Sequence, residues 1–359
     1  MVQTGWKQYL RNQIQLHPSM EPQDVYKMMY QAAFGAEHIL QEKEAAYAYL
    51  KGEFEETKPS DELLHEQIGE DVCRVNLGAW KQRQLPLEWL FRMFVGSVEA
   101  ESRKQGMQEA AAESFQQYER EAKKAVKEGS FSFSYADFEE YAGNYHQAAP
   151  HPVHHSEAYR RSEHPAYRLV STRYLRLLPI LERLAEENLS GEPAVVAIDG
   201  RCASGKSTMA QLLSEITEAG VVHMDDFFLP LKLRTEERLA QPGGNVHYER
   251  FQEEVLPFLH KKGAFDYRCF DCSQMELGES RRVRESSVRV VEGAYSMHPA
   301  FGEYADLKVF SDVEQREQWE RIKVRDGEDM LALFRERWIP MEEHYFATYA
   351  IRDKAAIIL

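Results

Sequence analysis

At 359 residues the chain is too long for one ordinary hydrophobic core, so two domains are expected. A formal net charge of −15, from 44 Lys and Arg against 59 Asp and Glu, argues against nucleic acid as a partner, because a duplex binder needs a basic footprint to displace counterions. No stretch approaches the ~20 apolar residues of a membrane span, and the start MVQTGWKQYLRNQ has no apolar signal core; no membrane partner is expected, and the cytoplasm is the expected location.

Residues 1–189 read as a mostly helical domain. Gln23–Leu40 places Val25, Met28, Met29, Ala32 and Ala33 on one stripe, which predicts an amphipathic helix. Leu85–Ala100 predicts a buried helix, and Glu101–Glu128 has a strongly helix-forming composition. Gly143–Pro165 reads as irregular and holds His146, His151, His154, His155 and His164 among Tyr159, Arg160, Arg161, Tyr167 and Arg168. Turn contacts and aromatic packing are the plain reading of that segment; metal binding and a second phosphate or substrate site are the functional alternatives, with Glu37 and His38 able to join. A helix resumes at Thr172–Glu187, and Asn188–Pro193 reads as a polar linker.

From Ala194 the pattern changes to strands alternating with helices. Ala194–Asp199, Gly220–Met224, Val288–Val291, Leu307–Phe310 and Ala355–Leu359 are the strand candidates, predicting an α/β domain over 190–359 with a mostly parallel five-stranded sheet. Of the four cysteines, Cys269 and Cys272 form a CxxC in a stretch read as irregular, without the second pair a zinc site needs.

Gly200-Arg-Cys-Ala-Ser-Gly205-Lys206-Ser207 fits G-x-x-x-x-G-K-[ST] between an apolar strand and the helix STMAQLLSEI, the setting this phosphate-binding loop requires. Gly200 and Gly205 permit the backbone angles that turn successive N–H groups inward, so Gly200, Ala203, Ser204, Gly205, Lys206, Ser207 and Thr208 are the expected ATP-binding residues. Lys206 would neutralise the β- and γ-phosphates, and the Ser207 hydroxyl would ligate Mg²⁺. Asp225 and Asp226 end the next strand, where a carboxylate can take a proton from an attacking hydroxyl. Glu292, before Gly293 at the end of a buried strand, suits a carboxylate reaching Mg²⁺. Arg316, Arg321, Lys323, Arg325, Arg335 and Arg337 cluster in Glu314–Tyr345, where a lid closing on a transferring phosphoryl group would use one or two of them; Glu–Arg pairing along a solvated helix is the plain alternative.

With the loop, the DDFF run, the VEG run and the arginine segment in that order, residues 190–359 resemble the uridine kinase, nicotinamide riboside kinase and phosphoribulokinase group. The resemblance implies Asp225 as catalytic base, Glu292 linked to Mg²⁺, and Arg321 and Arg325 as lid arginines acting beside Lys206. It also implies acceptor contacts from Tyr267 and Arg268, in the segment Gly263–Arg268. Departures leave the acceptor unnamed: Gly327-Glu-Asp stands where uridine kinases continue Arg-Gly-Arg, and the expected pocket His is missing. The function so implied is ATP-dependent phosphorylation of a hydroxyl on a small metabolite, a nucleoside, riboside or sugar-like acceptor. The rival is a regulatory NTPase whose ATP binding controls the helical domain. A homo-oligomer is compatible with either.

Overall fold

The computed structural model describes residues 3–35, 42–102, 107–186, 191–271 and 274–359. Glu37, His38, Cys272 and the first half of the expected linker therefore lie outside the described residues. The chain divides into two compact units, Met1–Arg176 and Leu177–Leu359. The division falls ahead of the helix Leu178–Glu186, which buries Leu178, Ile180, Leu181 and Leu184 in the second unit. The sequence reading had grouped that helix with the N-terminal half.

The first unit is mostly helical. Pro22–Phe34 carries the expected stripe, and Gly35 closes it at a φ of 60°, short of the Leu40 expected. Leu87–Ser102 and Met107–Lys127 supply the next two long helices. The segment read as irregular contains the short helix Glu157–Glu163, capped by the Ser156 side chain. Three strands were not foreseen: β1 (His65–Gln67), β2 (Val72–Asn76) and β3 (Tyr167–Ser171), antiparallel in that order. The reason is range: Cys73 pairs with Val170, far along the chain, and β2 is too short to show a local period.

In the second unit all five expected strands join one sheet: β4 (Ala194–Gly200), β5 (Gly220–His223), β8 (Val288–Glu292), β9 (Leu307–Ser311) and β10 (Ile357–Ile358). The spatial order is β10-β9-β4-β8-β5, and every neighbouring pair is parallel. Two further strands, β6 (Phe265–Asp271) and β7 (Glu276–Val283), form an antiparallel hairpin. The stretch around Cys269 is thus regular rather than irregular. Phe265, Tyr267 and Phe270 turn inward while Asp266 and Arg268 face out, the two-residue alternation of a half-buried strand, shifted by an irregularity between Arg268 and Phe270. The core joins sheet residues Val195, Ala197, Val222, Val291 and Phe310 to Phe227, Phe251, Tyr267 and Tyr345. The arginine segment is broken rather than continuous: Gln315–Asp326 stops at Gly327, with φ 92°, and the chain resumes as Glu328–Leu333, a π-turn over Phe334–Trp338 and Ile339–Tyr349. Among the described residues no helix is long and apolar enough to cross a membrane.

Parallel strands bring their C-terminal ends to one edge of the sheet, and β4 sits at its centre. There Asp199 is wholly buried and accepts from the N–H groups of Gly200, Tyr295 and Met297 and from the Tyr345 hydroxyl, at 2.7–3.1 Å. Burial pushes this carboxyl above its usual range, opposed by those hydrogen bonds. Replacing Asp199 with Ala would take the side-chain acceptor from three buried amides and a tyrosine hydroxyl. We expect it to lower unfolding free energy by about 3 kcal/mol or more, read from the urea midpoint, with Asp199→Asn costing less.

Candidate active site

Gly200 leaves β4 at a φ of 134°, where a side chain would meet the carbonyl oxygen of Ser311 at 2.1 Å. Ala203 at 59° and Gly205 at 96° also take positive φ, and the helix Lys206–Thr217 starts directly after. Alternating positive and negative φ turns successive N–H groups toward one point, and the first-turn amides of the helix add to them. The helix N-terminus contributes its positive dipole end at the same place. Lys206 is buried, and its ammonium donates to the carbonyls of Gly200 and Arg201 at 2.8 Å, bracing the loop from within.

Two carboxylates approach from neighbouring strand ends. Glu292 closes β8 and is buried; its Oε2 accepts from the Ser207 hydroxyl at 3.0 Å, and its Oε1 lies 2.5 Å from His223 Nδ1. Parallel pairing sets this up, since His223 of β5 stands opposite Glu292 in the ladder. Asp225 sits in the 3₁₀ turn Met224–Phe227 that follows β5. Its carboxylate is accessible from the cavity yet ringed by protein on most sides. Burial, then the Glu292 carboxylate, push its carboxyl up, while Lys206 pulls it down. Asp226 points elsewhere: it is buried and accepts from the Tyr267 hydroxyl at 2.8 Å, with Arg281 at 3.4 Å.

Ala203, Gly205, Lys206, Ser207, Thr208, Asp225 and Glu292 line one cavity of about 680 Å³, together with Phe228, Arg234, Asn245, Tyr295, Arg321, Arg325, Arg337, Trp338, Met341 and Glu342, whereas Gly200, Ser204, His223 and Asp226 stand behind its wall. Five cations (Lys206, Arg234, Arg321, Arg325, Arg337) face three carboxylates (Asp225, Glu292, Glu342) in a chain whose overall charge is −15. Arg321 donates to the loop carbonyl of Ala203 at 3.0 Å and pairs with Glu317. Arg325 pairs with Asp326, and its charge is felt by Asp225. Of the other expected lid cations, Arg337 reaches the cavity, Arg335 stacks on Trp319 at 4.2 Å, and Lys323 pairs with Glu328.

Tyr267 and Arg268 do not line the cavity. Strand alternation sends Arg268 outward, where it pairs with Glu254, and sends Tyr267 inward, where it holds Asp226 and the His223 amide. The five histidines of 146–164 do not converge either. His146 bonds Glu119 at 2.7 Å, His151 stacks on Tyr145, and His155 bonds Asp24 and Tyr167, each at 2.9 Å. Among the described residues no three His, Cys, Asp or Glu side chains form a metal-holding group.

Sequence reasoning missed His223, Glu342 and Asp199. His223 stood two residues before Asp225 at a strand end, which was signal enough. Glu342 offered none, being one of many glutamates in its segment. It is buried and accepts from the Cys202 amide at 2.9 Å. Burial pushes its carboxyl up to about 7, against the pull of Lys206. Burial also pushes the Cys202 thiol up, so that cysteine stays protonated.

Similarity to known proteins covers part of the chain. Uridine kinase-like protein 3 of Arabidopsis thaliana is 28% identical over 163 residues, covering 42% of this chain and 35% of that protein. Uridine kinase-like protein 4 of the same plant is 28% identical over 164 residues, 41% of this chain and 34% of that protein. The chain resembles uridine kinase-like proteins. It spans about a third of the length of these curated relatives. No family model matches. Two solved structures overlap about half the chain: a chain described as a possible uridine kinase from Bacillus stearothermophilus (18% identity, TM-score 0.38, covering 50% of this chain and 96% of that one) and one assigned as a fructose transport system kinase from Silicibacter sp. (21%, 0.42, 52% and 98%).

Glu342 makes the phosphate cradle pH-sensitive. Below about pH 7 its carboxyl is protonated and the cradle loses a negative charge; above it, the carboxylate competes with phosphate for the Cys202 amide and Lys206. ADP affinity should therefore rise from pH 8 to pH 6 relative to Glu342→Gln, by up to about tenfold, in parallel calorimetric titrations of the two proteins.

Proposed function

We propose that the second unit transfers the γ-phosphoryl group of ATP to a hydroxyl of a small metabolite. The observation that carries this reading is that Asp225 faces the same cavity as the phosphate loop, close enough to Glu292 and Lys206 to feel both charges. A carboxylate at that edge, beside the one that engages Ser207, can take the proton of an attacking hydroxyl. Similarity to uridine kinase-like proteins supports a nucleoside, riboside or sugar-like acceptor. Phe228, Tyr295 and Trp338 offer flat apolar surfaces on which a ring can rest.

In this reading the amides from Ala203 to Thr208 orient the phosphates, and Lys206 turns its ammonium to the β- and γ-oxygens. Asp225, kept basic enough by burial, accepts the acceptor hydroxyl's proton as its oxygen attacks phosphorus; the γ-phosphorus–oxygen bond breaks and ADP leaves. Arg321 and Arg325 face the transferring group across the cavity and neutralise its charge. The Ser207 hydroxyl and Glu292 carboxylate, 3.0 Å apart, are hard oxygen donors aimed at one place, a set that fits Mg²⁺. When bound there the ion offsets phosphate charge, and His223 holds Glu292 in the ligating orientation. Arg268 has no part in this reading, and Tyr267 acts only by holding Asp226 and the turn that presents Asp225.

Asp225→Asn is expected to cut turnover about 10²–10⁴-fold while ADP binding changes little. Lys206→Ala should weaken nucleotide binding as well as transfer. Incubation with γ-labelled ATP and a panel of nucleosides, ribosides and sugars decides between the readings. Label on an organic product, lost in Asp225→Asn, is the expected result; label recovered solely as free phosphate with every acceptor would favour a regulatory NTPase.

A further inference from the structure

The first unit buries a guanidinium that has almost nothing to hold. Arg74, on the central strand β2, is 7% exposed. One of its terminal nitrogens donates to Gln31 Oε1 at 2.7 Å, while its Nε has no hydrogen-bond partner. It forms no ion pair with any described carboxylate. Glu66 stands opposite it in the β1–β2 ladder, but both Glu66 oxygens receive the Gln13 amide, at 3.1 and 3.2 Å. The guanidinium lies instead over the Tyr167 ring at 4.4 Å and near the Tyr9 ring at 5.6 Å. A buried unpaired cation is costly, and ring faces offset only part of that cost.

Other unspent groups belong to the same cluster. Tyr9 and Gln13 are four residues apart on the helix Gln3–Leu16, so they share a face. Both are buried, and the Tyr9 hydroxyl and the Gln13 Oε1 each lack a hydrogen-bond partner. Because Gln13 commits its nitrogen to Glu66, its free atom is an acceptor. Lys27 adds a second positive charge: burial and the nearby Arg74 hold its ammonium down to about 8. Asp24 acts on Lys27 through its charge, but His155, the Ser156 amide and hydroxyl, and the Glu21 amide take up its oxygens, so it makes no hydrogen bond to either cation. Lys27, Tyr167 and Glu66 are half-buried and form the rim.

We propose that this cluster is a second binding site, for a small molecule whose phosphate or carboxylate group seats on Arg74 and whose neighbouring hydroxyl donates to Gln13. The Tyr9 hydroxyl donates to the same oxyanion, and Lys27 balances its charge from the rim. The two cations, the unspent donor and the unspent acceptor are then all accounted for by one ligand.

The test is calorimetric titration of the full chain with inorganic phosphate, glycerol phosphate and glycolate. Wild type should bind one or more of them, and a hydroxylated probe more tightly than inorganic phosphate. Tyr9→Phe, which removes one hydroxyl from a retained ring, should weaken binding about tenfold; Arg74→Met should abolish it. Arg74→Met should also be at least as resistant to urea as wild type without ligand, because it removes an unpaired buried charge. Because the phosphate loop can also take an anion, each titration is run in a Lys206→Ala background as well as in wild type, and the Lys206→Ala protein should still bind at the Arg74 cluster. The proposal is overturned if no probe binds, if Tyr9→Phe binds as well as wild type, if Lys206→Ala alone removes binding, or if Arg74→Met is unfolded or much less stable. In that last case Arg74 is a structural residue.

Discussion

The second unit is organised around one buried carboxylate. Asp199 ends the central strand, and three chain segments come to it: the start of the phosphate loop through the Gly200 amide, the segment after Glu292 through the Tyr295 and Met297 amides, and the C-terminal helix through the Tyr345 hydroxyl. A charge with no access to water accepts such an arrangement only if its oxygens are filled, so the three segments are held together by what it would cost to leave them apart. The loop, the strand end that carries Glu292 and the helix Ile339–Tyr349 are thereby placed against one another. The loop's own needs then follow: Gly200 must lack a side chain because Ser311 lies 2.1 Å from where one would start.

Around that anchor the cavity reverses the charge of the molecule. A chain of −15 gathers five cations at one site, and the carboxylates among them are separated by environment. Glu292 is engaged by Ser207 and His223, Glu342 by the Cys202 amide, and Asp226 by Tyr267. Asp225 has no hydrogen bond among the described residues, so its acceptor capacity faces the cavity. Of these four carboxylates three are engaged and Asp225 is open, a division by environment that the proposed transfer relies on.

The first unit has a different economy. Its helices are held by aromatic clusters, with the Tyr26 ring 4.5–6.2 Å from Phe115, Phe138, Tyr141 and Tyr145, and its small sheet closes with β3. Within this well-satisfied interior the Arg74 cluster stands apart, because its polar atoms are buried without partners. The histidine-rich segment, which drew attention in the sequence, contributes only His155 nearby, and that ring is already bonded on both nitrogens.

How much of this was legible in the sequence depended on distance along the chain. The five strands of the parallel sheet, the phosphate loop and the placing of Asp225 and Glu292 at strand ends are local patterns, and one chain segment carries each of them. The antiparallel sheet of the first unit is not local, since β2 and β3 recognise each other only once folded, and neither shows a period of its own. The hairpin of β6 and β7 pairs residues across a turn, and its alternation is shifted after Arg268; the acceptor contact that the resemblance implied for Arg268 is replaced by an outward pairing with Glu254. His223 and Glu342 became site residues through ladder pairing and helix docking. The residue types and their order along the chain determined the loop's form, two glycines, a lysine and a helix start after a buried strand, and so where phosphate binding is to be looked for. Which carboxylate stays open, which arginines reach the cavity, and where a buried cation is left unpaired were decided by tertiary structure, because burial and hydrogen-bond satisfaction are properties of neighbours in space.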